Sequence, residues 1–165
     1  MKEPDFILEI FLRPGEFHWG DTDTRIRTIL GSCVAICVWH PRLKIGGMCH
    51  YLLPKRRVRD ALEPPDGRYG DEAIELILSE IKQKKTRPQE YHAKIFGGAN
   101  MFSKVVVDGS INVGQKNIAL AETLVAEHGF QVEANHTGGI EHRSILFDLW
   151  SGDVWLKKPK KEEVK

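Results

Sequence analysis

The order of apolar and polar positions along the chain predicts a series of short strands. Residues 25–30 alternate polar and apolar side chains, as the residues of a half-buried strand do. Two apolar runs, residues 34–40 and 45–53, predict a β-hairpin, because the proline of the connecting segment Pro41–Lys44 suits position i+1 of a tight turn. Shorter extended segments are predicted at residues 6–12, 93–96, 105–108, 130–135, 144–150 and 154–156.

Two longer segments have the spacing of amphipathic helices. Residues 71–85 place apolar side chains three and four positions apart, with acidic residues in the first turn and lysines in the last. A second helix is predicted after Asn112, its expected N-cap, and its predicted end is Gly129. Asn117 falls on the stripe of this helix that is expected to face the core. Two polar, turn-rich segments are predicted as loops: residues 19–24 and 55–70.

These elements predict one α+β domain, a single-domain α/β sandwich in which two main helices pack against a mixed or antiparallel sheet. The chain has 165 residues, which fits one domain at 1–157 followed by a disordered charged tail at 158–165. A net charge of +1 gives no electrostatic reason to expect binding to nucleic acid. No apolar stretch approaches the ~20 residues of a membrane span, so we expect a cytoplasmic protein without membrane insertion.

All three cysteines lie between residues 28 and 54, together with two histidines. If the hairpin turn is centred between residues 41 and 42, Cys33 directly opposes His50, with Cβ atoms about 4.5–5.5 Å apart. The same register puts Cys37 on the face of Cys33 but about 13 Å along the strand, and Cys49 on the other face. Three thiols so arranged cannot share one zinc ion, and we predict no metal site.

Two interpretations of Cys33 remain open on this pattern alone: a buried core residue, or a nucleophile. Gly31 and Ser32 precede it and leave little side-chain bulk over the thiol, and their backbone could hold an oxyanion. A thiol needs a base near neutral pH, and His50 would supply one. The hydroxyl of Thr28 could orient the imidazole as a third member.

A series of motifs runs through most of the chain in a fixed order: LRPGE at 12–16, LGSCVAICVWHP at 30–41, GGMCHYLLP at 46–54, KIFGGANMF at 94–102, INVGQKN at 111–117 and HTGGIEHRSILFD at 136–148. Taken together they resemble the CheD family of chemoreceptor glutamine deamidases. The resemblance implies that Cys33 is the nucleophile, that His50 is its base and that a threonine shortly before the cysteine is the third catalytic residue. Thr28 is the nearest match, and Arg27 stays an alternative position because members differ by one residue there.

The same resemblance implies an α/β sandwich related to Cys-His toxin deamidases, and a function. The expected reaction converts receptor glutamine to glutamate through a thioester and needs no metal or organic cofactor. The implied partners are methyl-accepting chemotaxis receptors, as substrate, and a CheC-type phosphatase. Two alternatives stay open: a non-catalytic or dual-role binding module that regulates such a phosphatase, and a thiol protease or transglutaminase with the same acyl chemistry.

Two glycine-containing turns are candidates for substrate binding, because glycine lets a bound peptide approach the backbone closely. Their alternative role is that of simple tight turns. The basic residues of the loop at 55–59 are candidates for contact with an acidic region of a receptor, or are merely solvated. The turn candidates are Gly97, Gly98, Asn100, Thr137 and Gly138.

Overall fold

The computed structural model describes residues 2–102 and 112–159. Within these residues the chain forms nine strands, two α-helices and a short 3-10 turn at Pro88–Glu90. The helices are α1 (Gly70–Gln83) and α2 (Val113–His128). The strands are β1 (Leu8–Phe11), β2 (Phe17–Gly20), β3 (Thr24–Leu30), β4 (Val34–His40), β5 (Ile45–Tyr51), β6 (His92–Gly97), β7 (Gln131–Thr137), β8 (Arg143–Asp148) and β9 (Val154–Lys157).

The strands form two sheets, one with the order β2-β5-β4-β6-β7 and one with the order β1-β3-β8-β9. Each sheet is mixed: β6 pairs with β7 and β1 pairs with β3 in parallel, whereas the other pairs are antiparallel. Helix α2 lies in the connection between the parallel strands β6 and β7, which cannot be joined by a tight turn. The predicted α+β class, with mixed sheets and two main helices, is confirmed.

Strand β4 is buried on both faces, because the larger sheet lies between the helices and the smaller sheet. Val34, Ile36 and Val38 face the helices, whereas Ala35 and Cys37 face the smaller sheet. This explains why β4 is almost continuously apolar. Strand β3 of the smaller sheet alternates buried and more exposed residues, since only one of its faces is covered. The space between the two sheets is the inter-sheet core; its buried members are Leu12, Ile26, Leu30, Ala35, Cys37, Met48, Phe96, Ile145, Phe147 and Leu149.

The β4–β5 hairpin is confirmed, but the register predicted for it is wrong by two residues. His50 pairs with Ala35 rather than with Cys33. The connecting loop occupies residues 41–44, and its last residue, Lys44, adopts a left-handed conformation with φ of 56°. The centre of this loop lies between residues 42 and 43, one residue beyond the predicted centre, so the pairing shifts by two. Because side chains alternate with a period of two, Cys33 keeps the face that the prediction gave it.

The segment predicted as a polar loop at residues 19–24 is partly wrong, because β2 includes Trp19 and Gly20. With only four residues, β2 is too short to show a clear alternation of polar and apolar side chains in the sequence. The strand pairs with β5 next to Gly47, where a Cβ atom would lie 2.9 Å from the Trp19 ring. A glycine on the partner strand therefore makes room for the tryptophan.

Both predicted ends of α2 are confirmed. The Asn112 side-chain oxygen accepts a hydrogen bond of 2.9 Å from the Gln115 N–H, and Gly129 ends the helix with φ of 80°. The extended segment predicted at 105–108 lies outside the described residues. So do residues 160–165, and the disordered tail stays a prediction.

Candidate active site

The imidazole of His50 lies between the two sheets and is fixed by a hydroxyl from the opposite sheet. Its Nδ1 atom is 2.8 Å from the Thr28 Oγ1 atom, and the same Oγ1 atom is 2.7 Å from the Leu12 carbonyl oxygen. A hydroxyl has one hydrogen, and a carbonyl can only accept, so Thr28 donates to Leu12 and accepts from His50. The Nδ1 atom therefore carries the imidazole hydrogen, which leaves a lone pair on Nε2. The Nε2 atom is buried and has no hydrogen-bond partner among the described residues.

The backbone of His50 is held by the turn of the LRPGE segment. The Gly15 N–H donates to the His50 carbonyl oxygen over 2.7 Å, and the His50 N–H donates to the Glu16 carbonyl oxygen over 3.3 Å. The Glu16 carboxylate closes this turn by accepting from the Arg13 N–H over 2.8 Å. This segment thus fixes His50 both directly and, through Leu12, by way of Thr28.

Cys33 lies between β3 and β4, partly exposed, and packs against the inter-sheet core. It precedes Ala35, the cross-strand partner of His50, by two positions. Cys33 thus lies just beyond the last ladder pair, Val34 and Tyr51, at the end of the hairpin where His50 is the last residue but one of β5. The predicted separation of the other thiols is confirmed, because Cys37 is buried between the sheets and Cys49 under the helices.

Burial acts on both reactive groups in the direction that favours their neutral forms. It raises the pKa of the Cys33 thiol, an effect that the residue's own backbone N–H partly offsets. It lowers the pKa of His50 to about 4, because the buried ring loses the hydration that stabilises its charged form. Near neutral pH the resting site therefore holds a thiol and a neutral imidazole.

The two predicted oxyanion residues have their carbonyl groups turned into the protein. The Gly31 carbonyl oxygen accepts from the Ala99 N–H over 3.0 Å, and the Ser32 carbonyl oxygen accepts from the Asn117 side chain over 3.1 Å. In a trans peptide the N–H points opposite to the carbonyl of the same peptide unit. The N–H groups of Ser32 and Cys33 therefore point away from these partners, as donors to an oxyanion must.

Gly97 and Gly98 are buried against the segment that carries the cysteine. The Gly98 N–H donates to the Cys33 carbonyl oxygen over 2.8 Å. A Cβ atom on Gly97, whose φ is 110°, would lie 2.2 Å from that same oxygen. These glycines allow a close approach of two backbones within the protein.

The second glycine turn, residues 137–139, packs against the first, residues 97–100. The Gly138 N–H donates to the Gly97 carbonyl oxygen over 2.9 Å, and the Asn100 N–H donates to the Gly139 carbonyl oxygen over 2.8 Å. Thr137 directs its hydroxyl to the Asn135 side-chain oxygen over 2.6 Å. Gly138 faces open space, since a Cβ atom there would meet nothing within 4 Å.

The Arg143 side chain connects the two glycine turns through hydrogen bonds to their backbone. The residue is 3% exposed, and its guanidinium donates to the carbonyl oxygens of Gly97, over 3.0 Å, and His136, over 2.6 Å. It also donates to the Gly138 carbonyl oxygen. These bridging contacts were not predicted; the signal for them in the sequence is a charged residue at a buried position of β8.

Two arginines of the basic loop after β5 pair with carboxylates of the same chain. The Arg56 Nε atom donates to Glu72 over 2.8 Å, and Arg59 donates to Glu75 over 2.8 Å. The Glu72 carboxylate is 1% exposed, so its pairing with arginine is a structural requirement of the start of α1. These two arginines are engaged by helix α1.

The described ranges contain neither a metal-binding group of side chains nor a membrane-spanning helix. No group of three or more His, Cys, Asp or Glu side chains in residues 2–102 and 112–159 could hold a metal ion. No helix in that part of the chain is long and apolar enough to cross a membrane.

The matching family model and the relatives that are similar in sequence share one name. The family described as CheD chemotactic sensory transduction matches residues 52–158. The chain is 48% identical to the probable chemoreceptor glutamine deamidase CheD 3 of Dechloromonas aromatica, over 94% of this chain and 91% of that protein. It is 43% identical to the probable chemoreceptor glutamine deamidase CheD of Pseudomonas syringae pv. tomato, over 95% of this chain and 93% of that protein.

Among solved structures, a Neisseria meningitidis protein of the DUF152 family is similar over 75% of this chain and 53% of that one. The two are 13% identical in sequence, with a TM-score of 0.45. The relation to Cys-His toxin deamidases implied above stays a prediction.

The packing of the first glycine turn predicts that Gly97→Ala destabilises the protein more than Gly138→Ala does. Both substitutions put a side chain at positive φ, which costs roughly 1–2 kcal/mol. Only the Cβ atom at position 97 would also collide with the Cys33 carbonyl. Urea unfolding of the two variants measures the difference, and equal losses of unfolding free energy would show that the close approach is not needed.

The pKa directions of Cys33 and His50 predict that no thiolate is present at rest near neutral pH. Because the thiol pKa is raised, thiolate should form only above the ordinary value of about 8.5. The measurement is the ultraviolet difference absorbance between wild type and Cys33→Ala, followed against pH. A Cys33-dependent thiolate signal between pH about 5 and about 8 would instead demonstrate a resting thiolate–imidazolium pair.

Proposed function

The chain belongs to the CheD family, and we propose that it converts glutamine side chains of methyl-accepting chemotaxis receptors to glutamate, as a protein-glutamine deamidase. The observation that carries this proposal is the hydrogen bond from His50 to Thr28. It leaves Nε2 free to take a proton on the sheet face that also carries Cys33. An oriented neutral imidazole is the base that a thiol nucleophile needs near neutral pH.

In the first half of the reaction Cys33 is acylated. The imidazole Nε2 atom accepts the thiol proton while the sulfur attacks the carboxamide carbon of the glutamine side chain. The carbonyl oxygen becomes an oxyanion, for which the N–H groups of Ser32 and Cys33 are the proposed donors. As the C–N bond breaks, the imidazolium returns its proton to the nitrogen, and ammonia leaves a thioester behind.

In the second half water releases the product. The neutral imidazole takes a proton from water, whose oxygen attacks the thioester carbon, and the C–S bond breaks. The thiol regains its proton from His50, and the new carboxyl group leaves as glutamate. The net reaction consumes one water and releases one ammonia, with no other reactant.

Thr28 acts in this mechanism as an uncharged orienting group. Its oxygen accepts the Nδ1–H in both the neutral and the protonated imidazole, so the ring keeps its direction throughout the cycle. Since a hydroxyl carries no charge, it does not stabilise the imidazolium as a carboxylate would. The imidazolium is therefore a transient species, in agreement with the low pKa of His50.

We propose the cytoplasm as the site of action, because the three cysteines are free and thiols stay reduced there. A CheC-type phosphatase is proposed as a second partner on the family resemblance alone. An open rim at Gly138, where a side chain would meet no neighbour, supports access of a large protein substrate to the second glycine turn.

The mechanism predicts that Cys33→Ala abolishes deamidation, whereas Cys37→Ala retains it. Cys37 is a matched control because it lies on the same sheet face but is fully buried. We expect at least a thousandfold loss of ammonia release from a receptor fragment for Cys33→Ala (order of magnitude, about 10³). Mass spectrometry of the receptor checks the product, since deamidation adds about one dalton to the peptide.

Other products would support other activities. Peptide cleavage would identify a protease, and incorporation of an added amine would identify a transglutaminase. If wild type and Cys33→Ala are both inactive on receptors but bind a CheC-type phosphatase equally, the chain acts as a binding module.

The orienting role of Thr28 predicts that Thr28→Val lowers kcat roughly 10- to 100-fold with little change in KM. Valine keeps the shape of the side chain but cannot accept the Nδ1–H, so the ring loses its fixed tautomer. Thr28→Ser keeps the hydroxyl and should retain most of the activity. Steady-state ammonia release from a receptor fragment gives both constants, and a fully active Thr28→Val would exclude this role.

A further inference from the structure

We propose that Asn117 is a positioning residue that holds the segment carrying Cys33 in a fixed relation to the strand carrying His50. The proposal rests on the proposed function, since it assumes that these two residues react as a pair. Asn117 lies in the second turn of α2 and is completely buried. Its backbone belongs to the helix, but its carboxamide reaches the backbone of the active-site hairpin.

The carboxamide bridges two segments of the chain. Its Nδ2 atom is 3.1 Å from the Ser32 carbonyl oxygen and 2.8 Å from the Leu52 carbonyl oxygen. An amide nitrogen carries two hydrogens, so one is available for each carbonyl. Ser32 directly precedes Cys33 and Leu52 follows His50 by two residues. One side chain is therefore bonded to both of the segments that carry the proposed catalytic pair.

This bridge begins where the β4–β5 ladder ends. The last paired residues of the hairpin at this end are Val34 and Tyr51. The next pair in the same register would be Cys33 and Leu52, but the chain leaves the strand conformation at Cys33. Beyond the ladder, the carboxamide replaces the missing cross-strand bonds. The separation of the two segments at the level of the thiol thus depends on Asn117.

The orientation of the carboxamide follows from its neighbours. Both groups that it contacts are carbonyl oxygens, so only the NH₂ end can face them. The Oδ1 atom is consequently left buried without a partner among the described residues. Buried polar groups are normally paired, and a residue serving only to fill the core would avoid this cost. The two donated bonds are the feature that an apolar residue could not supply.

The bond to Ser32 also fixes a second reactive group. The Ser32 carbonyl and the Cys33 N–H belong to one rigid peptide plane and point in opposite directions. By holding the carbonyl, Asn117 directs the Cys33 N–H, one of the proposed oxyanion donors. Displacements of about 1 Å between reacting groups can cost roughly 100-fold in rate. Loss of the bridge should therefore lower kcat and leave KM nearly unchanged.

The chain offers a matched control at the same place. The Tyr51 hydroxyl donates to the Asn117 backbone carbonyl over 2.5 Å, and this bond also joins α2 to the end of β5. Tyr51→Phe removes this attachment but leaves both carboxamide bonds intact. If Asn117 only anchors the helix, the two kinds of variant should have similar effects.

The test measures alkylation of Cys33 by iodoacetamide, followed by mass spectrometry at one neutral pH. Asn117→Ala should slow the reaction about tenfold or more, because the thiol no longer meets its base, whereas Tyr51→Phe should change it less than about twofold. Asn117→Ser, too short to reach both carbonyls, serves as a second variant if the alanine form does not fold. Near-ultraviolet circular dichroism checks the folding of each variant before rates are compared.

A double-mutant cycle with His50→Gln separates positioning from a general loss of structure. If Asn117 acts through the Cys33–His50 pair, Asn117→Ala should have almost no further effect when His50 is already glutamine. Equal effects of Asn117→Ala in both backgrounds would overturn the proposal, and so would a Tyr51→Phe variant as slow as Asn117→Ala.

This experiment uses a small electrophile and no receptor, so its failure is distinguishable from failure of the proposed function. Full ammonia release by Cys33→Ala would refute the proposed mechanism whatever the alkylation rates are. Additive alkylation effects would refute only the role of Asn117. With a receptor fragment, Asn117→Ala should lower kcat roughly 10- to 100-fold at nearly constant KM.

Discussion

The hydroxyl of Thr28 has one hydrogen, and the Leu12 carbonyl takes it. That donation leaves the oxygen as an acceptor for His50 and so decides which imidazole nitrogen can accept a proton. The bond also ties the two sheets together, because Thr28 belongs to β3 and His50 to β5. The geometry of the site therefore depends on how the smaller sheet packs on the larger one, and the LRPGE turn fixes that relation further by bonding to the His50 backbone.

The central position of β4 explains why so many segments meet at one end of the hairpin. A strand covered on both faces has a helix layer on one side and a second sheet on the other. At its N-terminal end, Asn117 approaches from the helix layer, while the glycine turns that follow β6 and β7 approach along the sheet. The Cys33 segment thus has its carbonyl groups bound by neighbours, and its amide hydrogens are turned the other way.

Sequence patterns predicted most of the elements, though not β2, and the face of each cysteine, since both depend on side-chain alternation that can be read locally. The hairpin register was wrong because the turn was centred between residues 41 and 42, whereas the loop continues to Lys44, in a left-handed conformation that glycine usually adopts. The contacts of Leu12, Asn117 and Arg143 were also out of reach. Each contact involves a backbone carbonyl group of a segment distant in the chain. Every residue has such a carbonyl, so the sequence does not indicate which one is used. The helical spacing correctly predicted that Asn117 is buried. It did not predict the hydrogen bonds that its carboxamide makes.

The low pKa of His50 and the raised pKa of Cys33 also bear on how this site survives between turnovers. Peroxide oxidises thiolates far faster than thiols, and the first product, a sulfenic acid, is no longer a nucleophile. A sulfur that stays protonated until a substrate arrives is a poor target for such oxidants. The burial that raises the pKa of Cys33 and makes His50 a weak base at rest thereby keeps the sulfur in its less easily oxidised form.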